Sequence, residues 1–225
     1  MNYYWKEKLD ELYNINIYEK NKQKLLLGGV PDKSLTNVKN DNRMSLDVLI
    51  RISPEISDNI EKTISEIKNI EPDLYYYPKE DYHITVLDIL RGDINRTIPK
   101  NVNEYIECVK NCVNEIKSFK IEFNGLTASD NAIMIKGYYE YELQKFRELL
   151  RKSLREKGLD FDERYEAISS HITIVRLPDK LKNPNDLIKY IEQERTFGTM
   201  MIKSFELTFH NYYDTKKEVL SIIKL

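Results

Sequence analysis

Residues 169–178 read SSHITIVRLP, in which aliphatic side chains alternate with polar ones before a proline closes the run, the pattern of a β-strand. The chain has only three histidines among 225 residues, yet a second strand-like run at 81–90, DYHITVLDIL, repeats the tripeptide His-Ile-Thr with the same aliphatic continuation. Side chains two apart on a strand share a face, so His83 with Thr85 and His171 with Thr173 each present an imidazole beside a hydroxyl. Ile84 and Ile172, continued by Val86 and Ile174, point the other way into a core. Serine and threonine fill about one position in ten, so two of three histidines acquire such a partner by chance with a probability on the order of 3%. The shared neighbours lower it further.

Each run ends a similar unit. MSLDVLIRI, from Met44, alternates as a half-buried strand, Ser53-Pro54-Glu55 opens a helix to about Ile70, and LYYYP and HITVLDIL follow as strands. The pattern then repeats as helix NVNEYIECVKNCVNEIKSF, strands KIEFNGL and AIMIKGY, helix YELQKFRELLRKSLREKGL and strand ISSHITIVRL. Helix PNDLIKYIEQE and strands MIKSFELTFH and EVLSIIKL complete the chain. The seven glycines form neither GxGxxG nor GxxxxGK[ST], which argues against a dinucleotide-binding fold or a phosphate-binding loop. These elements predict an α+β fold with mostly antiparallel sheets. Residues 1–43, with Trp5, Leu9, Leu12 and Tyr13 near helical spacing before LLLGGVPD, read as an N-terminal extension of helix and linker ahead of a single domain at 44–225.

Hydrophobic residues at 41% and charged residues at 32% describe a globular chain, and no apolar run approaches the roughly 18 residues of a membrane helix. No secretory leader is evident at the N-terminus, so a cytoplasmic, monomeric protein is expected, without membrane association. Cys108 and Cys112, one helical turn apart, read as packing thiols, and neither metal nor other cofactor is expected. The 35 basic and 37 acidic residues leave a net charge of −2, which argues against an extended nucleic-acid-binding face. A small or terminal phosphate ligand needs only a few local charges.

Two imidazoles facing across a cleft can divide acid–base work, because their unperturbed pKa near 6.5 lets one accept a proton while the other donates. Two threonine hydroxyls would hold the non-bridging oxygens of a phosphodiester, where charge builds up. The paired His-Ile-Thr strands, the F-x-G-L segment at Phe123 to Leu126, and F-R-x-x-L at Phe146 to Leu150 before an R-Y…SSHITIVR stretch resemble the two-histidine phosphoesterase superfamily. Its 2′-5′ RNA ligase, or LigT-like, branch looks most similar. The resemblance covers residues 44–225 and implies two pseudo-symmetric lobes around a central cleft, with helices on the outside. It implies metal-independent cleavage of 2′,3′-cyclic phosphates, 2′-5′ linkages or related phosphoesters, with a small nucleotide or an RNA end as substrate and ligation as a possible accompanying activity. Carried over, His83 and His171 become the catalytic pair, and Thr85 and Thr173 the phosphate ligands. The first motif ends in Asp88-Ile89-Leu90 rather than the phenylalanine-leucine-glycine common in LigT proteins, which leaves the subfamily open.

Arg176 matches an arginine that often follows the second motif in that branch and could supply a phosphate fork, but it lies five residues after His171, so strict alternation turns it away and a β-bulge or a strand end at Pro178 would be needed. The tyrosine clusters at Tyr75 to Tyr77, Tyr138 to Tyr141 and Tyr212 to Tyr213 fit strand packing as well as base stacking. His210, with no hydroxyl two residues on, reads as a structural or rim residue. Arg147, Arg151, Lys152, Arg155 and Lys157 read as a solvated helix face, and Arg43 has no local sign of a ligand. A nucleotide- or RNA-binding module without turnover is the competing reading. Two titrating groups exceed what binding alone requires.

Overall fold

The computed structural model describes residues 3–163 and 165–225, so Met1 and Asn2 of the extension and Arg164 of the R-Y segment lie outside the described residues. Among the described residues nine strands form two antiparallel sheets. In the first, β3 (His83–Asp93), β1 (Met44–Arg51), β8 (Ser204–Asn211) and β9 (Lys217–Lys224) lie in that spatial order. In the second the order is β2 (Tyr75–Tyr76), β6 (Ile172–Arg176), β5 (Ala132–Tyr139), β4 (Lys120–Ala128) and β7 (Thr196–Met201). The α+β class with antiparallel sheets is as the sequence pattern predicts. The expected strand at 201–210 is instead two, because the chain breaks at Ile202-Lys203 and crosses between sheets, and Gly198 obscures the periodicity of the first.

Strand alternation divides the first sheet into two chemically distinct faces. Leu46, Val48 and Ile50 of β1, Ile84 of β3, and Phe205 and Leu207 of β8 are buried on the outer face. Helices α4 (Val102–Asn114) and α5 (Tyr141–Glu156) cover it, with Phe146 stacked on Phe205 at 4.4 Å between ring centroids. The opposite face carries Asp47, Arg51, His83, Thr85, Glu206, Thr208 and His210. Helix α3 (Pro54–Ile70) starts at its proline as expected, buries a stripe of Ile56, Ile60, Ile64 and Ile67, and packs with α6 (Pro184–Ile191) beside the second sheet.

The N-terminal segment forms a continuous helical stretch, α1 (Tyr3–Asp10), a π-helical section at Glu11–Glu19 and α2 (Lys20–Leu26). It lies across the second sheet. The Asp10 carboxylate accepts from Tyr138, Asn14 from Lys136, and the Tyr13 carbonyl from Thr127. Trp5, Leu9, Tyr13, Leu25 and Leu35 join the same hydrophobic core as the rest of the chain.

Of the basic residues expected on a solvated helix face, Lys152, Arg155 and Lys157 are exposed, while Arg147 and Arg151 overturn the expectation. Arg147 is fully buried, and Arg151 nearly so. Arg147 follows Leu143 by four positions and precedes Leu150 by three, which places it within the apolar stripe of α5. Its Nε donates to the Val86 carbonyl at 2.8 Å, one terminal nitrogen to the Tyr139 hydroxyl at 3.1 Å, and the other to the Ser169 carbonyl. Arg151 forms a bidentate pair with Glu163 at 2.8 and 2.7 Å and also reaches the Ala167 carbonyl, which fixes the segment leading to β6. Replacing Arg147 by alanine would open a cavity and leave two buried carbonyls unpaired, so we expect a loss of about 3 kcal/mol in urea unfolding. A loss below about 1 kcal/mol would mean that the buried guanidinium does not hold the two sheets together.

Candidate active site

The two His-Ile-Thr strands meet where the sheets adjoin: β3 contacts β6, and His83 is close enough to His171 to act on its charge. Strand β2 pairs with β6, Tyr75 with Arg176 and Tyr76 with Val175, and the short connection from Tyr77 to Tyr82 then delivers the chain into β3 of the other sheet. The start of β3 is thereby tethered beside β6.

The two motifs share a local construction. The Nδ1 atom of His83 lies 2.8 Å from the carbonyl of Asp81, two residues before it; a carbonyl only accepts, so Nδ1 carries the proton and Nε2 is left for chemistry. His171 Nδ1 is likewise 2.9 Å from the Ser169 hydroxyl, also two residues before. After each threonine comes a register shift. Thr85 pairs with Leu49 and Leu87 with Val48, so an extra residue, Val86, is inserted in β3; Thr173 pairs with Met134 and Val175 with Ile133, which inserts Ile174 in β6. The same burial pattern results in both strands, with half-buried His, Thr and Asp88 in one and half-buried His, Thr and Arg176 in the other.

The bulge in β6 brings Arg176 onto the face of His171 and Thr173. Its Nε donates to the Tyr77 hydroxyl at 2.9 Å, Asp32 lies 4.0 Å away, and its guanidinium carbon sits 4.6 Å from the Tyr212 ring centroid. Arg43 lies at the same distance from that ring while pairing with Asp41. Two tyrosine clusters therefore meet beside Arg176, with Tyr75 at 5.2 Å from Tyr77 and 6.1 Å from Tyr213. The third packs on the N-terminal helix through Trp5. Tyr82 is buried away from the site with its hydroxyl on Glu61.

Ser170, immediately before His171, is fully buried. Its hydroxyl donates to the Gly137 carbonyl at 2.9 Å, and its backbone N–H donates to Tyr13 of the N-terminal segment at 2.9 Å. A Cβ on Gly137 would fall 2.1 Å from the Ser170 carbonyl oxygen, so this close approach requires glycine. A separate cavity of about 580 Å³, between the N-terminal helix and the strands β4 and β5, contains Lys136, Glu122 and Arg195 but neither motif histidine.

Burial lowers the pKa of His83 to about 4, with Asp214 opposing it and His210 and Arg51 adding to it. Burial likewise lowers His171 to about 4, reinforced by the charges of Arg176, His83 and Arg147. His210, read from sequence as a structural or rim residue, is buried with its ring 5.8 Å from that of His83. Although its burial lowers its pKa, Asp214 and Asp47 outweigh that and raise it to about 9. The polar alternation of MSLDVLIR and SFELTFHN is a visible signal for this polar face, but not for the pairing of Asp47 with His210.

A model of the family described as the 2′-5′ RNA ligase superfamily matches residues 56–214. The chain belongs to that superfamily. The structure is similar to the crystal structure of TT0787 of Thermus thermophilus, with a TM-score of 0.58 and 14% identity over 80% of this chain and 97% of that one. It is also similar to E. coli LigT in apo form, with a TM-score of 0.58 and 12% identity over 81% and 97% of the two chains. For E. coli LigT complexed with 3′-AMP the values are 0.56, 13%, 81% and 98%. At these identities the likeness establishes the bilobal LigT-like fold. Comparison with curated proteins gives no significant match.

The shifted histidines make stability depend on pH in both directions. His83 and His171, lowered from 6.5 to about 4, contribute stability that is present above pH 6.5 and lost as pH falls through 4. His210, raised from 6.5 to about 9, contributes stability that is present below pH 6.5 and lost as pH rises through 9. The urea midpoint is expected to peak near neutrality. In His210→Phe the alkaline decline should be absent, and its persistence would assign that decline to another group.

Proposed function

We propose that this chain is a metal-independent phosphodiesterase acting on a nucleotide or RNA-end phosphoester of the 2′,3′-cyclic phosphate or 2′-5′ linkage class. The observation that carries the reading is the duplicated construction of the site: two imidazoles, each held through Nδ1 by a residue two positions earlier, each with a threonine on the same face before an equivalent bulge. In this reading His83 and His171 present Nε2 to the ligand. One accepts a proton from the attacking oxygen, and the other gives a proton to the leaving oxygen. Thr85, Thr173 and Arg176 bind the non-bridging oxygens, with the guanidinium supplying the fixed positive charge. The 3′-AMP bound by E. coli LigT supports a nucleotide-sized ligand for this fold.

The test is turnover of purified protein in the presence of chelator, offered 2′,3′-cyclic nucleotides, 2′-5′ oligoadenylates, and RNA with a 2′,3′-cyclic end. Failure to process any of them would favour a binding module that uses the same cleft. For the enzyme, His83→Ala and His171→Ala are each expected to lower kcat by roughly 10²-fold or more. Near-normal activity in either variant would remove that residue from the mechanism.

An anionic phosphate between the imidazoles favours their charged forms. The pH profile of kcat, which reports the complex, should therefore lie at higher pH than that of kcat/KM, which reports the free protein. Coincident profiles would mean that the phosphate does not sit beside the titrating pair.

A further inference from the structure

We propose that His210 is a positioning residue for His83, a buried imidazolium that offsets the carboxylates of Asp47 and Asp214 and thereby adds to burial in favouring the neutral, proton-accepting form of His83. Its catalytic consequence rests on the two-histidine reading above. The state of the cluster does not.

The two nitrogens of His210 both face carboxylates. Nε2 lies 2.7 Å from Oδ2 of Asp47, and Nδ1 lies 3.0 Å from Oδ1 of Asp214, the latter an ion pair without hydrogen-bond alignment. A neutral imidazole protonates only one nitrogen and would turn the lone pair of the other toward a carboxylate oxygen. With both carboxyl groups ionised, as the neighbouring cations Arg51 and Lys217 favour for Asp214, only the imidazolium is compatible with both partners. This cation meets His83 ring to ring, at 5.8 Å and an interplanar angle of 87°.

The charges around the pair come from every neighbouring element. Strand β1 supplies Asp47 and Arg51, with Arg51 opposite His83 in the ladder; the turn before β3 supplies Asp81, and β3 itself carries Asp88 farther along the same face. Strand β8 supplies Glu206, the turn after it Asp214, and β9 Lys217. Arg51 bonds Glu206 at 2.9 Å and Asp214 at 2.6 Å, while Lys217 bonds Asp214 at 2.9 Å and Asp81 at 2.6 Å. From the second sheet, β6 brings His171 and Arg176. Arg51 and Lys217 alone are outnumbered by Asp47, Asp81, Glu206 and Asp214. His210 reduces that excess beside the His83 ring.

Asp214 has a second mark of functional constraint. Its φ of +60° is the only positive value among the described residues other than glycine, and its side chain is fully buried. The strained backbone aims one carboxylate at His210, Arg51 and Lys217 together. Asp214 also pulls His83 toward its charged form, and His210 opposes that pull. A buried ion pair is weak evidence of a stability role, whereas a cation set edge-on against a proposed proton acceptor shifts that acceptor's proton affinity.

The test is nitrogen-resolved NMR of the imidazoles in the full chain, which needs no substrate. At pH 7 the parent protein should show His210 protonated on both nitrogens and His83 on one. In His210→Phe, and in His210→Gln, which keeps a donor without the charge, the His83 midpoint should rise by at least about one pH unit, a tenfold gain in proton affinity. If a substrate is turned over, the acidic limb of kcat/KM should move the same way. A neutral His210 at pH 7, or an unmoved His83 midpoint in a variant whose circular dichroism is that of the parent, would overturn the proposal. Because the parent spectrum decides the charge of His210 without any variant, a misfolded substitution leaves the proposal testable. An inactive protein with these titrations would reject the enzymatic reading and retain the electrostatic one.

Discussion

The guanidinium of Arg147 is the interaction on which the geometry of the cleft depends. One buried group holds the carbonyl of Val86, the inserted residue of β3, and the carbonyl of Ser169, the partner of His171. A fully buried cation is costly, and burial lowers its pKa, so it survives only because several acceptors converge on it. Each carbonyl it holds belongs to the backbone beside one of the two motifs. Their spacing across the seam is thus set by the dimensions of a single planar side chain rather than by the softer packing of two sheets.

Much of this can be read in the sequence, and the reason lies in periodicity. The twofold alternation of β1 and β8 and the apolar stripe of α3 reflect the burial of one face, so the pattern survives in one dimension. The bulges are legible in principle as well: the doublets Val86-Leu87 and Ile174-Val175 interrupt the alternation at the same distance from each histidine. Strict alternation instead turns Arg176 away from the site. What the sequence does not show is which unlike charges meet across strands. Asp47, His210 and Asp214 come from three elements, and their association follows from register rather than from spacing. Arg147 escapes a sequence reading for a different reason, since its charge suggests solvent while its position in the apolar stripe of α5 decides its burial.

The N-terminal segment, read from sequence as an extension of helix and linker, also reaches the second motif. Its residues precede the matched family region, which begins at residue 56, yet Tyr13 bonds the backbone next to His171, and Asp32 accepts from Tyr213 at 2.9 Å and stands close to Arg176. Met134 pairs with Thr173 and with Thr127, so the strand face that bears Thr173 continues into the surface on which Tyr13 rests. The segment therefore borders the cleft on the side of the second motif. It contributes side chains to the surroundings of Arg176.

The exchange of strands between the sheets bears on how this chain acquires its structure during synthesis. The first sheet needs β8 and β9 from the end of the chain, and the second takes β2 from the opening half. Neither half of the sequence contains a complete sheet. A ribosome that has released the first His-Ile-Thr strand has produced β1 and β3 as a two-stranded ribbon, below what is stable alone in water. Folding must wait for residues more than a hundred positions later, a topology rich in distant contacts and correspondingly slow. The two motifs resemble each other as halves, but they become structure as one cooperative unit.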